Sequence, residues 1–147
     1  MHNHTFLFRE RIWSINGLFY TNDSGAGGTP CDGMIKITHK PNIWLNEGIL
    51  KIHSEIAWEH VNFFEIIPFQ PGYDFSTFQS MNTIMGNLHG KIMVIQNAII
   101  TSFSSENSIF TGVETLVKID NENYNDYGYV FMEDKKLGSW AISLHGI

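Results

Sequence analysis

A handful of polar residues sit inside runs of aromatic and branched side chains, and they carry most of the chemistry this sequence offers. They are His60 and Asn62 in Trp58–Phe64, Ser80 and Asn82 after Phe78, Glu114 in Phe110–Ile119, and Tyr129 in Tyr127–Met132. An imidazole titrates near neutral pH and can move a proton. A carboxyl group in apolar surroundings holds its proton to higher pH and can act as an acid or base. A tyrosine hydroxyl can polarise a substrate oxygen. If such groups face a core, they must find hydrogen-bond partners, because leaving one unpaired costs about 1–3 kcal/mol. The expectation is that they satisfy one another or face cavity water or a ligand.

Other constellations are poorer in chemistry. Cys31, the single cysteine, follows Pro30 with Asp32 beside it, and no nearby His or helix start lowers its pKa, so it reads as a spare thiol. One cysteine excludes an internal disulfide and any multi-Cys metal site. His2-x-His4 could hold a stray metal ion, but the segment reads as a loose polar terminus. His39, His53, His60, His89 and His145 are scattered, with no spacing of two or four that would pair them on a strand or helix. Glu59 and Glu65 share an outward face and read as solvated. Gly25-Ala26-Gly27-Gly28 lacks the Lys of a phosphate loop and reads as a hairpin turn, and there is no Gly-x-Ser-x-Gly elbow. No motif identifies a cofactor.

The elements that position these groups are short and alternate in hydropathy. Turn-forming clusters fall at Asp23–Pro30, His39–Asn42, Gln70–Asp74, Asn121–Asp126 and Lys135–Gly138. Between them lie β-rich runs at Met34–His39, Gly90–Ile95, Phe110–Ile119, Tyr127–Met132 and Trp140–Leu144, spaced as in an all-β sandwich or barrel. All four prolines fall at turns or strand ends. Trp44–Ile67 also has helical spacing at Leu45, Ile49, Ile52 and Ile56. Its richness in isoleucine, its lone Ala57 and an internal Gly48 favour two strands, Ile43–His53 and Ile56–Ile67, turning at Ser54-Glu55.

Alternation then assigns an inner face. It holds Trp13, Ile15, Gly17 and Phe19 in the first strand and Ile56, Trp58, His60, Asn62, Phe64 and Ile66 later. Phe78, Ser80 and Asn82 follow, with the opposite set Phe75, Thr77, Gln79 and Met81 nearly as good. For the next run the inner set is Phe110, Gly112, Glu114 and Leu116, or else the β-branched set from Ile109. Tyr127, Tyr129 and Phe131 complete it. Ile12, Val61, Phe63 and Ile67 are sent outward.

The chain has 147 residues, of which 43% are hydrophobic and only 16% charged. That is the size of one domain, read as 1–147 with residues 1–10 as a lead-in, and it suffices for a core without staples. A net charge of -6 argues against gripping nucleic acid or an anionic membrane surface. The three-residue apolar stretch Phe6-Leu7-Phe8 is too short for a signal-peptide core, and no run approaches a membrane span, so a cytoplasmic location is expected.

The Trp13 strand, Arg11-Ile12-Trp13-Ser14-Ile15-Asn16-Gly17, followed by a meander of short strands, resembles the calycin group of lipocalin and fatty-acid-binding-like barrels. Arg11 stands where lipocalins usually carry Gly, and no Arg follows it to pack over the Trp. Nine or ten strands lean toward the fatty-acid-binding-like relatives. The resemblance implies an antiparallel barrel with an interior cavity for a small, mostly apolar ligand. Without a late arginine, a fatty acid held through its carboxylate is disfavoured. Some relatives hold haem through one histidine, for which only His60 and His145 stand as candidates.

Three functions follow. The first is a binding barrel whose small apolar ligand is lined by Trp13, Phe19, Trp58, His60, Asn62, Phe64, Phe78, Asn82, Glu114 and Tyr129. The second is an enzyme on the same barrel with His60 or Glu114 as acid or base. The third is an interaction module, a homodimer among the options, using the outward apolar residues.

Overall fold

The computed structural model describes residues 2–22 and 27–147. Its ten strands are β1 (Arg11–Tyr20), β2 (Thr29–His39), β3 (Trp44–Ile52), β4 (Trp58–Ile66), β5 (Phe75–Asn82), β6 (Gly86–Ile95), β7 (Ala98–Ser105), β8 (Phe110–Asp120), β9 (Asn123–Met132) and β10 (Lys135–Gly146). Each pairs antiparallel with its chain neighbour, and β10 returns to β1, so the sheet closes on itself and leaves no edge strand. The Trp44–Ile67 segment forms two strands, as its β-branched content requires. The Asp23–Pro30 turn falls partly outside the described residues. Among those described, no helix is long and apolar enough to cross a membrane.

The inner face follows a period of two. Trp13, Ile15 and Phe19 of β1, Phe78, Ser80 and Asn82 of β5, and Leu116 of β8 are buried, so Glu114 shares the inner face of β8. Outward on β4 and beside it, Ile12, Val61 and Ile67 are exposed.

One parity is inverted from the sequence reading. β9 turns Tyr124, Asp126 and Val130 inward and leaves Tyr127 and Tyr129 half open to solvent on the outer face. The register explains it. Gly128 lies opposite both Glu114 of β8 and Trp140 of β10. An added Cβ at Gly128 would come within 2.2 Å of the Trp140 ring. The inner face therefore has room for glycine there and not for a run of tyrosines, and a one-residue offset turns every side chain of the strand over. The tyrosines keep their hydroxyls in water instead, and Tyr129 packs edge-on to Phe131. Two further expectations are corrected with it. Asn121–Asp126 and Lys135–Gly138 are mostly strand, because tight turns at residues 121–122 and 133–134 suffice to reverse the chain.

The turns fall at two ends. Those joining β2 to β3, β4 to β5, β6 to β7 and β8 to β9 share one end, and the N-terminal segment plugs it. This segment is not the loose terminus its composition implied, because its side chains find partners in the barrel mouth. His4, Thr5, Phe6 and Leu7 are all buried. Phe6 packs against Trp13 and Tyr124, and Phe8 against Trp44 and Phe69. Tyr124 is the hub: its hydroxyl accepts the Thr5 and Phe6 N–H groups at 3.0 and 3.3 Å and donates to His4 Nδ1 at 2.8 Å. His4 Nε2 donates in turn to the Gln96 carbonyl at 2.9 Å. Leu7 takes a left-handed φ of 72°, held there by its own burial and by His39 Nε2, which donates to its carbonyl at 2.7 Å. Arg11 pairs with Glu122 and lies 5.2 Å from the centre of the Trp13 ring, so the guanidinium over this tryptophan comes from the same strand.

Candidate functional site

Beyond the plug, toward the opposite end, the barrel is not filled. A cavity of about 100 Å³ remains, walled by Phe19, Phe64, Phe103, Trp140 and aliphatic side chains. Three sets of polar side chains face it.

The first is acidic. Leu116 lies opposite Asp126 and Glu114 opposite Gly128, so Glu114 and Asp126 are diagonal neighbours on β8 and β9. Their carboxyl groups hydrogen-bond to each other. Gly128 leaves the space through which the Trp140 indole reaches Asp126 Oδ1, donating at 3.1 Å. Burial raises both pKa values, and the Glu114 charge raises Asp126 further. Two neighbouring carboxyl groups in an apolar interior resist ionising together, so the pair holds its protons to higher pH than solvated carboxylates do. Glu114 lies deep in the barrel yet keeps accessible surface, because its flank forms part of the cavity wall.

The second is an amide and imidazole cluster on β4 and β5. Asn82 Oδ1 accepts the N–H groups of Ile84 and Met85, each at 2.9 Å, which orients its amide nitrogen toward His60 Nε2 and Asn62 Oδ1. His60 Nε2 thus accepts, and the ring is neutral. Burial works in the same direction and lowers its pKa. This cluster sits where β4 and β5 share the shortest ladder of the barrel, from Asn62–Asn82 to Ile66–Phe78.

The third is a pair without partners. Thr101 on β7 is buried and stands directly opposite Glu114, and Asn46 on β3 lines the same cavity. Neither side chain has a hydrogen-bond partner among the described residues. Their donors and acceptors are left to whatever occupies the cavity.

Of the residues singled out from the sequence, Phe19, His60, Asn62, Phe64, Asn82 and Glu114 line this cavity. Trp58 stands behind it, edge-on to Phe19 and stacked on His60, and Phe78 stacks on Phe64 with centroids 5.1 Å apart. Trp13 is fully buried at the plugged end. Tyr129 is on the outer face, 45% exposed, and takes no part. His145 is likewise outward and bonded to Asn123 Oδ1 at 2.9 Å. Cys31 is buried, and burial with the neighbouring Asp32 pushes its thiol up to about 11.

Sequence reasoning missed Asp126, Trp140, Asn46 and Thr101. Alternation through Trp44–Ile52 and Ile99–Phe103 places Asn46 and Thr101 on apolar faces, so their signal was present. Asp126 was hidden in an asparagine-rich stretch that imitates a loop.

No protein-family model matches the chain, and no curated protein matches it. Among solved structures it is similar to a conserved protein of unknown function with hot dog fold from Alicyclobacillus acidocaldarius. The identity is 5% and the TM-score 0.29, over 95% of this chain and 79% of that one. The architecture therefore rests on the strand pairing itself.

Proposed function

We propose that the protein binds a small, mostly apolar molecule inside the barrel. The observation that carries this reading is the cavity itself, with aromatic walls and with the Asn46 amide and Thr101 hydroxyl lacking a partner among the described residues. A core that served packing alone would be filled to native density and would pair its polar groups. Aromatic walls with a few fixed polar groups are the usual make-up of a small-molecule site. At about 100 Å³ the space suits a compact ligand, on the order of seven water volumes.

The ten-stranded up-and-down order supports placing this function beside that of the fatty-acid-binding-like calycins. A fatty-acid carboxylate does not suit this interior. The acidic pair would repel it, and Arg11 is engaged with Glu122 at the plugged end.

Native mass spectrometry of the freshly purified protein, compared with its denatured mass, tests the reading. An adduct lost on denaturation supports it and weighs the ligand. No adduct, together with no shift of the cavity-lining amides in NMR spectra on adding small aromatic solutes, overturns it.

A further inference from the structure

We propose that the ligand is a small primary ammonium compound with a ring-sized apolar body, its ammonium group seated among Glu114, Asp126 and Thr101. This names the ligand class of the cavity reading above and rests on it.

Three observations converge. This wall offers acceptors: the carboxyl oxygens of the pair, and directly opposite Glu114 the Thr101 hydroxyl, which can accept as well as donate and has no partner among the described residues. An ammonium group carries three donors and no acceptor, which complements that set. The interior also holds an acidic pair with which no Lys or Arg among the described residues forms an ion pair. Arg11 is committed to Glu122, and Lys118 donates to the Asn3 carbonyl at the plugged end. A buried charge lacking its counter-ion costs stability, and a cationic ligand supplies the counter-ion. Finally, Phe19, Phe103 and Trp140 present aromatic surface to the same space, which receives a ring and favours a cation near its face.

The seat has a proton balance. Burial raises both pKa values of the empty pair, so it retains protons to higher pH than solvated carboxylates do. An incoming ammonium favours the ionised pair, so a proton held by the pair leaves to solvent while the ammonium keeps all of its own. No other group facing the pair competes for that proton. β7 turns Ile99, Thr101 and Phe103 inward and β10 turns Trp140, Ile142 and Leu144. The remaining inward titratable groups of this half are His60 on β4, which is neutral, and Cys31 on β2, which stays a thiol.

Calorimetry with benzylamine, benzyl alcohol and benzoate, each in two buffers of different ionisation heat, tests the seat. Benzylamine should bind about tenfold or more tighter than benzyl alcohol, with benzoate weakest. It should release up to about one proton per molecule bound near neutral pH. Glu114→Gln should remove most of the preference for the amine, and Thr101→Val should weaken amine binding about threefold or more. Proton release is read on the unaltered protein, so the test stands even if a variant fails to fold. If benzyl alcohol binds as tightly as benzylamine and no proton is released, the ammonium seat is overturned while the binding barrel stands. If none of the three binds, the ammonium seat is overturned as well, and the native mass and NMR measurements above decide the cavity reading.

Discussion

Glu114 and Asp126 share a hydrogen bond across adjacent strands inside an aromatic barrel, and the Trp140 indole donates to Asp126 Oδ1 at 3.1 Å. Such an arrangement is held against its own electrostatics. Two acidic groups in a low-dielectric interior oppose folding at neutral pH unless something is gained by keeping them, which places them among the groups that active and binding sites perturb.

The first prediction concerns that cost. Both folded-state pKa values are raised, so the folded protein keeps protons that the unfolded chain releases once pH exceeds the ordinary carboxylate values of 3.8 and 4.5. The pair's contribution to stability therefore falls as pH rises from that range toward neutrality. Asp126→Asn keeps an oxygen for Trp140 and removes the charge. It should raise stability at pH 7 by about 1 kcal/mol and flatten this pH dependence. Urea unfolding of both proteins at pH 5 and pH 7 measures it, and a variant less stable at both would contradict the assignment.

The second concerns Gly128. An added methyl group would stand 2.2 Å from the Trp140 ring, so Gly128→Ala should push the indole out of its place over Asp126. The expected loss is about 1–3 kcal/mol, typical of overpacking. The Trp140 indole N–H resonance should move toward that of a solvent-facing tryptophan. An unchanged resonance would mean the inner face here has more slack than the packing shows.

The plug gives a third. Tyr124→Phe strips the hydroxyl that joins His4, Thr5 and Phe6, leaving buried groups unpaired at about 1–3 kcal/mol. Burial lowers the His4 pKa below the ordinary imidazole value of 6.5. Its neutral form is thus favoured by folding, and that stability is full above pH 6.5 and is lost as pH falls through the folded value. His2, Lys118 and Tyr124 are the charged or titratable groups nearest it. Amide exchange at Thr5 and Phe6 should quicken between pH 6.5 and 5 beyond the intrinsic rate change, and exchange that follows the intrinsic rate alone would sink the idea.

Cys31 supplies the fourth. With its thiol pushed up to about 11 and its side chain buried, the native protein should react with a disulfide reagent at pH 8 only as fast as it opens. Rapid stoichiometric labelling under native conditions would show that β2 is far less protected than its burial implies.

Much of the barrel was legible because sheet packing writes a period of two into the chain. β4 shows it plainly: Trp58, His60, Asn62, Phe64 and Ile66 fall inward while Glu59, Val61 and Glu65 fall outward. On β9 the same rule misled, since tyrosines, asparagines and glycine alternate there with nearly equal hydropathy. Choosing between the two faces needed the neighbours, Glu114 on one side and Trp140 on the other, which left space for Gly128 alone.

The sequence by itself determined an all-β chain of short antiparallel strands, and it placed His60, Asn62, Asn82 and Glu114 among apolar residues. It could do so because strand propensity, turn residues and alternation are local properties. The tertiary structure alone decided the closure of β10 on β1, the plug formed by His4 to Leu7, the outward turn of Tyr129, and the meeting of Glu114 with Asp126. Those depend on register between strands, and register is set by what fits across the barrel, which no single strand contains.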